Sequence, residues 1–365
     1  MAPLARRGAA VCLPAVLFCV SCGGGGERNE GATLASGEPV QAECVPAGVG
    51  RASTVTFVAG GNAWALNPAT GRAACLFAAP RPGPFEWGPR ADRALLARLE
   101  VKPLGRAPSR AASPIDPALT AWGRPTGKSI VFVSRDGRRL LKAHPGSTSF
   151  EEVTPLRDAD YTLVAYHPSG LAFVFVVRRN GHESIWMSSN VGERPVQLVH
   201  GRLHTRFEAL AWGDAGQTLY FAGRHPDGRV HVHALPLVGA TSAPVVWSSQ
   251  MGQHVSAILP GWPGLALTVD RSSCASRHTV LVTTKRAGAV PLAGRPSRAV
   301  GWLDDHHLLV AAGGCGEPID LYSVEHATLA ARVLVRDVDA ASVRRAEPLP
   351  PPPLPIRGEG RGSFA

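Results

Sequence analysis

The sequence predicts an all-β fold, a propeller of four-stranded blades, and three observations predict it. An aromatic or apolar anchor recurs every 44–46 residues, at Trp122, Tyr166, Trp212, Ile258 and Trp302. Each anchor precedes two β-rich runs divided by a turn. Amphipathic runs of helical length are almost absent. A period of roughly 40–50 residues with several strands per unit marks propeller blades.

Each anchor closes a first strand, in the segments Phe85-Glu86-Trp87-Gly88-Pro89, Thr120-Ala121-Trp122-Gly123-Arg124, Val164-Ala165-Tyr166-His167-Pro168, Leu210-Ala211-Trp212-Gly213-Asp214 and Val300-Gly301-Trp302-Leu303-Asp304. Ala257-Ile258-Leu259-Pro260 is a degenerate copy. Second strands are predicted at 129–133, 172–177, 218–222, 266–269 and 307–311. Asp136-Gly137, Asn180-Gly181 and Asp227-Gly228 follow, with the glycine 15, 15 and 16 residues after its anchor. These dipeptides supply the positive φ of tight hairpins. Third strands are predicted at 138–143, 184–187, 230–235, 279–283 and 320–324. The strict period assigns the aromatic anchors to packing between sheets rather than to sugar stacking.

The blade count is seven, with six as the alternative. Anchors at 87, 122, 166, 212, 258 and 302 make six units. Residues 54–77 hold about three more strands, with turns at Asn67-Pro68 and Thr70-Gly71, but no first strand. A segment near 341–345 supplies it if the chain ends pair.

The N-terminus reads as an export signal. Arg6 and Arg7 precede an apolar run at 9–20. Twelve helical residues reach about 18 Å, short of the roughly 30 Å hydrocarbon core of a bilayer. The layout is then a signal peptide at 1–21, a flexible Gly/Ser/Glu/Ala-rich tether at 22–43, the propeller at 44–346 and a disordered Pro/Gly-rich tail at 347–365.

Val20-Ser21-Cys22, followed by four glycines, resembles the lipobox of bacterial lipoproteins. Cys19 departs from that pattern, in which Leu is usual. The resemblance implies lipidation of Cys22 and a membrane-anchored protein of the cell envelope, facing the periplasm or the exterior. An ordinary cleaved signal with a chance cysteine is the alternative. The blade motifs resemble the TolB-type (WD-repeat-like) propeller repeat over roughly 55–338, with its aromatic-Gly/His-Pro/Asp turn and Asp-Gly hairpin. TolB's separate α/β domain has no match here, so the resemblance implies the propeller only.

The chain has seven cysteines. Cys12 and Cys19 leave with the signal. If Cys22 carries lipid, Cys44, Cys75, Cys274 and Cys315 remain, an even number suited to two disulfides in three possible connectivities. Cys274 and Cys315 both fall in second-to-third-strand hairpins of neighbouring blades. This favours Cys274–Cys315 with Cys44–Cys75, free buried thiols being the alternative. No C-x-x-C spacing indicates zinc, and no metal or other cofactor is assigned.

The formal charge is +10, from arginines scattered through the chain. The hairpins carry Arg135, Arg138, Arg139, Arg178, Arg179, Arg224, Arg229, Arg271 and Arg277. Arg138, Arg179, Arg229 and Arg277 are the candidate binding residues of a basic rim for an envelope protein or anionic polymer, ordinary solvated charge being the plain alternative. Nucleic acid is not expected, because the chain reads as exported and lacks a recognition motif.

Asp116, Asp158, Asp160, His204 and His254 lie in loops leading into first strands, around the central channel. A convergent Asp/His set there would suit metal binding or acid–base chemistry. A propeller lyase or glycoside-acting hydrolase is therefore the alternative function. Asp304-Asp305-His306-His307 falls at a first-to-second-strand turn and reads as turn chemistry. His231 and His233 alternate on one strand face and read as surface histidines before ligands. No G-x-S-x-G elbow, P-loop or dinucleotide fingerprint is present, and no hydrolase domain follows the propeller. Non-catalytic binding or scaffolding at the cell envelope is the preferred reading.

Overall fold

The computed structural model describes residues 54–78, 150–189 and 194–344 almost throughout, shorter stretches between 85 and 143, and residues 32–33. The expected signal, most of the tether and the tail lie outside the described residues, as do Cys22, Cys44, Asp116 and His204.

The described strands form seven antiparallel sheets. The first joins β1 (Ala32–Thr33), β2 (Thr54–Ala59), β3 (Asn62–Leu66) and β4 (Arg72–Ala78) to the last strand of the chain, β29 (Ala340–Arg344). The second holds β5 (Phe85–Trp87), β6 (Arg93–Leu96), β7 (Glu100–Pro103) and β8 (Ser109–Arg110). The third holds β9 (Thr120–Trp122), β10 (Ile130–Val133), β11 (Leu140–Ala143) and β12 (Phe150–Glu152). The fourth is β13 (Asp160–Tyr166), β14 (Ala172–Arg179), β15 (His182–Ser189) and β16 (Val196–Val199). The fifth is β17 (Arg206–Gly213), β18 (Thr218–Arg224), β19 (Val230–Pro236) and β20 (Val245–Ser248). The sixth is β21 (His254–Gly261), β22 (Gly264–Asp270), β23 (His278–Thr283) and β24 (Ala287–Ala289). The seventh is β25 (Ser297–Trp302), β26 (His307–Gly314), β27 (Glu317–Glu325) and β28 (Ala331–Val338).

First strands touch first strands: β13 meets β9 and β17, β21 meets β17 and β25, and β29 meets β25 and β5. The sheets are thus propeller blades that succeed one another in chain order. The chain ends share the first blade, with Val55 opposite Val343 and Phe57 opposite Ala341. The first strand missing from 54–77 is therefore the late segment. One difference from the sequence reading falls inside the expected tether. Ala32 and Thr33 pair with Ala73 and Arg72, adding a fifth strand to the outer edge of the first sheet. An edge strand such as β4 offers unpaired N–H and C=O groups that accept such an addition.

Second strands are continuous apolar runs because each is covered on both faces by neighbouring blades. Phe173 to Val177 are all at most 2% exposed, and Leu308 to Ala312 match them. The outer strand β20 is mostly exposed. The core is accordingly layered between blades. Val174, Val176, Ile185, Phe207, Leu219 and Phe221 form one such layer.

The anchors Tyr166, Trp212 and Trp302 lie in these layers. Trp302 is 5% and Tyr166 6% exposed. The Trp302 indole N–H donates to the Leu259 carbonyl at 3.1 Å, and that of Trp212 to the Ala165 carbonyl at 3.4 Å, each on the first strand of the preceding blade. A Cβ on Gly261 would lie 2.4 Å from the Trp302 ring, so this close approach requires glycine.

First strands carry a feature the sequence reading did not contain. β13, β17, β21 and β25 each have a register shift, at Tyr161/Leu163, Phe207/Ala209, Val255/Ala257 and Ala299/Gly301. Such irregularities free a backbone amide from the ladder. Each amide is taken up by the blade before: Tyr161 N–H by the Gly137 carbonyl (2.6 Å), Phe207 by Glu183 Oε2 (2.6 Å), Val255 by Glu208 Oε2 (2.8 Å) and Ala299 by Thr268 Oγ1 (3.1 Å).

Candidate functional site

The starts of first strands and the second-to-third-strand hairpins occupy the same end of each blade. Antiparallel register sets Asp160 opposite Arg178, Arg206 opposite Arg224 and His254 opposite Asp270. Two groups treated separately in the sequence, the hairpin arginines and the lead-in Asp/His residues, therefore share one end.

Proximity neutralises several of these arginines. Arg178 binds the buried Glu183 at 2.6 Å, Arg224 binds the buried Glu208 at 2.6 Å, and Arg295 binds Asp320 at 2.5 Å. The same Glu183 and Glu208 hold the Phe207 and Val255 amides, so Arg178 and Arg224 belong to the blade-to-blade latches and not to a free rim. Arg138 lies 3.7 Å from Asp160, both well exposed, a geometry worth little in water. Arg179 donates to the Arg157 carbonyl, and Arg271 donates to Gln250 Oε1 at 2.7 Å. Arg229 is exposed, and its backbone amide completes the Asp227 turn. Asp158 is exposed, with a positive φ of 54° in the turn before β13.

Arg277 and Arg298 differ. The Ser297 amide donates to the Arg277 carbonyl at 2.9 Å, which sets the hairpin of blade six against the start of the first strand of blade seven. Arg277 is partly buried, and its Nε has no hydrogen-bond partner among the described residues. Burial and the Arg277 charge push the Arg298 guanidinium below its usual value. Arginine nonetheless stays charged. Two partly buried cations thus lie within electrostatic reach of each other, with no ion pair to a carboxylate among the described residues.

His254 makes the contacts of a hydrolytic array. Its Nε2 is 2.8 Å from Ser272 Oγ, its Nδ1 is 3.1 Å from Glu208 Oε1, and Ser272 has a φ of +63°. Arg224 Nη2, however, lies 2.7 Å from the same Nδ1. Nδ1 thus faces a guanidinium, which only donates, and a carboxylate, which only accepts, while the two Nη2 hydrogens also have Glu208 Oε1 at 2.6 Å and the Gln253 carbonyl at 2.9 Å as acceptors. Arg224 neutralises the carboxylate that would orient the ring, and with the ring proton on Nε2 the imidazole donates to Ser272 instead of taking its proton, the reverse of what a serine nucleophile needs.

Asp304 forms the expected turn, accepting from the His306 and His307 amides at 2.7 Å each. His231 and His233 keep ring centroids 6.4 Å apart on one strand face, but His233 is buried and not the surface histidine expected. His233 stacks on Phe221 with ring centroids 4.8 Å apart and has Nδ1 against the Ala243 carbonyl at 2.9 Å. His231 instead meets His225, ring centroids 4.4 Å apart, beside Asp227. These three side chains are the cluster with metal-ligand chemistry among the described residues.

Cys274 and Cys315 are joined by a disulfide, Cα–Cα 5.6 Å, which ties the hairpins of blades six and seven beside Arg277. Cys75 is also disulfide-bonded. No helix among the described residues is long and apolar enough to cross a membrane.

Fold and site together define a β-propeller with a latched, basic hairpin end. No family model matches the sequence, and no curated protein matches it. Among solved structures, the chain is similar to TolB from Acinetobacter baumannii at 12% identity and a TM-score of 0.42, over 64% of each chain. A chain of a nidogen/laminin complex matches at 9% identity and a TM-score of 0.47, over 80% of this chain and 99% of that one. The Cps50 (Swd1) β-propeller domain of Myceliophteria thermophila matches at 11% identity and a TM-score of 0.47, over 70% of this chain and 86% of that one. These likenesses concern fold, which the seven sheets already establish.

Proposed function

We propose that this chain is an exported, lipid-anchored propeller that binds an anionic envelope partner at its hairpin end, without catalysis. The pair Arg277 and Arg298 carries the reading: two guanidinium groups on neighbouring blades, joined by the Ser297–Arg277 backbone bond, partly buried and without an ion-pair partner among the described residues. Desolvated cations are costly unless a counter-charge completes them. An acidic protein segment or anionic polymer would supply it, and a rigid blade end would present it at low entropic cost. Residues 1–21 serve as the signal, Cys22 as the lipid anchor, 22–43 as the tether apart from Ala32–Thr33, 44–346 as the binding body and 347–365 as the tail. Catalysis is set aside because Arg224 neutralises Glu208, the carboxylate that would orient His254.

Fluorescence anisotropy with labelled poly-L-glutamate as the probe tests this, with affinity followed against NaCl. The double variant Arg277→Gln/Arg298→Gln is expected to bind about tenfold more weakly, with a shallower salt slope. Arg332→Gln, on an exposed residue of the outer strand β28, should bind like the parent. Equal loss in both variants, or no binding by the parent, refutes the reading.

A further inference from the structure

We propose that the β18–β19 hairpin is a binding site for a divalent transition cation of the zinc class, with His225, Asp227 and His231 as its ligands. This site uses none of the residues that carry the anionic-partner reading. The three ligand atoms lie within 4.8 Å of one another, with both imidazoles half-buried and the carboxylate exposed. Two imidazole nitrogens and one carboxylate oxygen suit Zn2+, Ni2+ or Cu2+; Ca2+ and Mg2+ prefer all-oxygen shells.

The backbone places these groups before any cation arrives. The His225 amide donates to the Arg229 carbonyl at 2.8 Å, and the Gly228 amide to the His225 carbonyl at 3.0 Å. Asp227 Oδ1 accepts from the Arg229 amide at 2.9 Å, which leaves Oδ2 for a ligand bond. Gly228 has a φ of +82°, which only glycine adopts cheaply in this turn. Across the ladder, His231 stands opposite Gly223. A glycine there leaves the sheet face open, and the His225 ring, two residues further on, fills it. Ser248 Oγ lies 2.8 Å from His231 Nδ1, the outer hydrogen bond that fixes ring orientation in metal sites, and leaves Nε2 for the cation.

Tetrahedral ligands at zinc distances stand about 3.3 Å apart. Pairs at the full 4.8 Å must therefore close by about 1.5 Å, within the reach of χ rotations on an exposed hairpin. Three protein ligands leave a fourth position for water or for a group from a partner.

The test uses untagged, chelator-treated full-length protein with its disulfides intact. Zn2+ is titrated against a fluorescent chelator, with Ca2+ and Mg2+ as comparison cations. One Zn2+ per chain is expected. His225→Ala, His231→Ala and Asp227→Asn should each weaken it at least tenfold, and His326→Ala, in the separate His306–His326 stack, should not. In the unmutated protein, Zn2+ should also protect His225 and His231 from diethylpyrocarbonate, read by mass spectrometry. That measurement decides the matter even if a variant misfolds. Absence of stoichiometric Zn2+, unchanged affinity in folded His225→Ala, or no protection of either histidine overturns the site.

Discussion

Arg224 determines what His254 can do. Its Nη2 reaches Glu208 Oε1, the Gln253 carbonyl and His254 Nδ1 at 2.6, 2.9 and 2.7 Å, so the carboxylate beside the imidazole is already paired with a cation. The 15N shifts of His254 read which nitrogen carries the proton, and because Arg224 neutralises Glu208 a fluorophosphonate probe should leave Ser272 unlabelled. Labelling of Ser272 would return the hydrolase reading. Asp304 sets a pH dependence. Burial pushes its carboxyl up, but the His306 and His307 amides and the His307 imidazole outweigh this and hold it below the ordinary 3.8. A depressed carboxylate contributes its stability in full above the ordinary value and loses it as pH falls through the folded value. Asp304 is more than half exposed, so solvent screening keeps the effect to about 0.5–1 kcal/mol. Asp304→Ala should lower Tm by that equivalent at pH 7 and flatten the acid limb of the Tm–pH curve. An unchanged acid limb would remove the carboxylate from this role.

At the scale of the element, the irregular first strand is the unit that joins blade to blade. Glu183 is fully buried and serves both Arg178 and the Phe207 amide. Its loss leaves a buried N–H unsatisfied and a guanidinium without its carboxylate. Glu183→Ala should cost about 2–4 kcal/mol in urea unfolding, and Glu183→Gln distinctly less, because the amide oxygen still accepts from Phe207. Equal costs would mean that the charge, not the latch, matters. The hairpins of these blades were legible because Asp-Gly and Asn-Gly encode their turns within two residues. The register shifts were not, because the acceptor of each freed amide lies 24 to 47 residues away on the preceding blade.

For the whole molecule, the pairing of β2 with β29 joins the chain ends, and the Cys274–Cys315 bridge, over a sequence separation of 41, staples blades six and seven. A loop of that length makes the bridge worth about 3–4 kcal/mol, so Cys274→Ser/Cys315→Ser should unfold earlier in urea by that amount. Intact mass of protein from a bacterial membrane fraction tests the proposed anchor and the second bridge together. The expected mass is residues 22–365 plus a diacylglycerol or triacyl group, rising by four hydrogens on reduction. An unlipidated or uncleaved species sinks the anchor. A rise of two hydrogens sinks the Cys44–Cys75 pairing.

The sequence by itself determined the all-β class, the blade period, the hairpin positions and the late strand that completes the first blade. These are encoded locally, in apolar runs, turn dipeptides and a repeat length. It also placed the aromatic anchors in the layers between blades, since only burial explains so regular an aromatic. Which charges remain available was a tertiary decision. Arg178, Arg224 and Arg277 are alike in the sequence. The first two meet a buried glutamate and the third does not, because the neighbouring blade supplies or withholds the carboxylate. Likewise His231 lies nearer His225 than its strand neighbour His233, for the sheet gives it a glycine to lean across and buries His233 against Phe221. Local patterning specifies backbone elements, while the chemistry of a site depends on which side chains distant strands bring within a few ångströms.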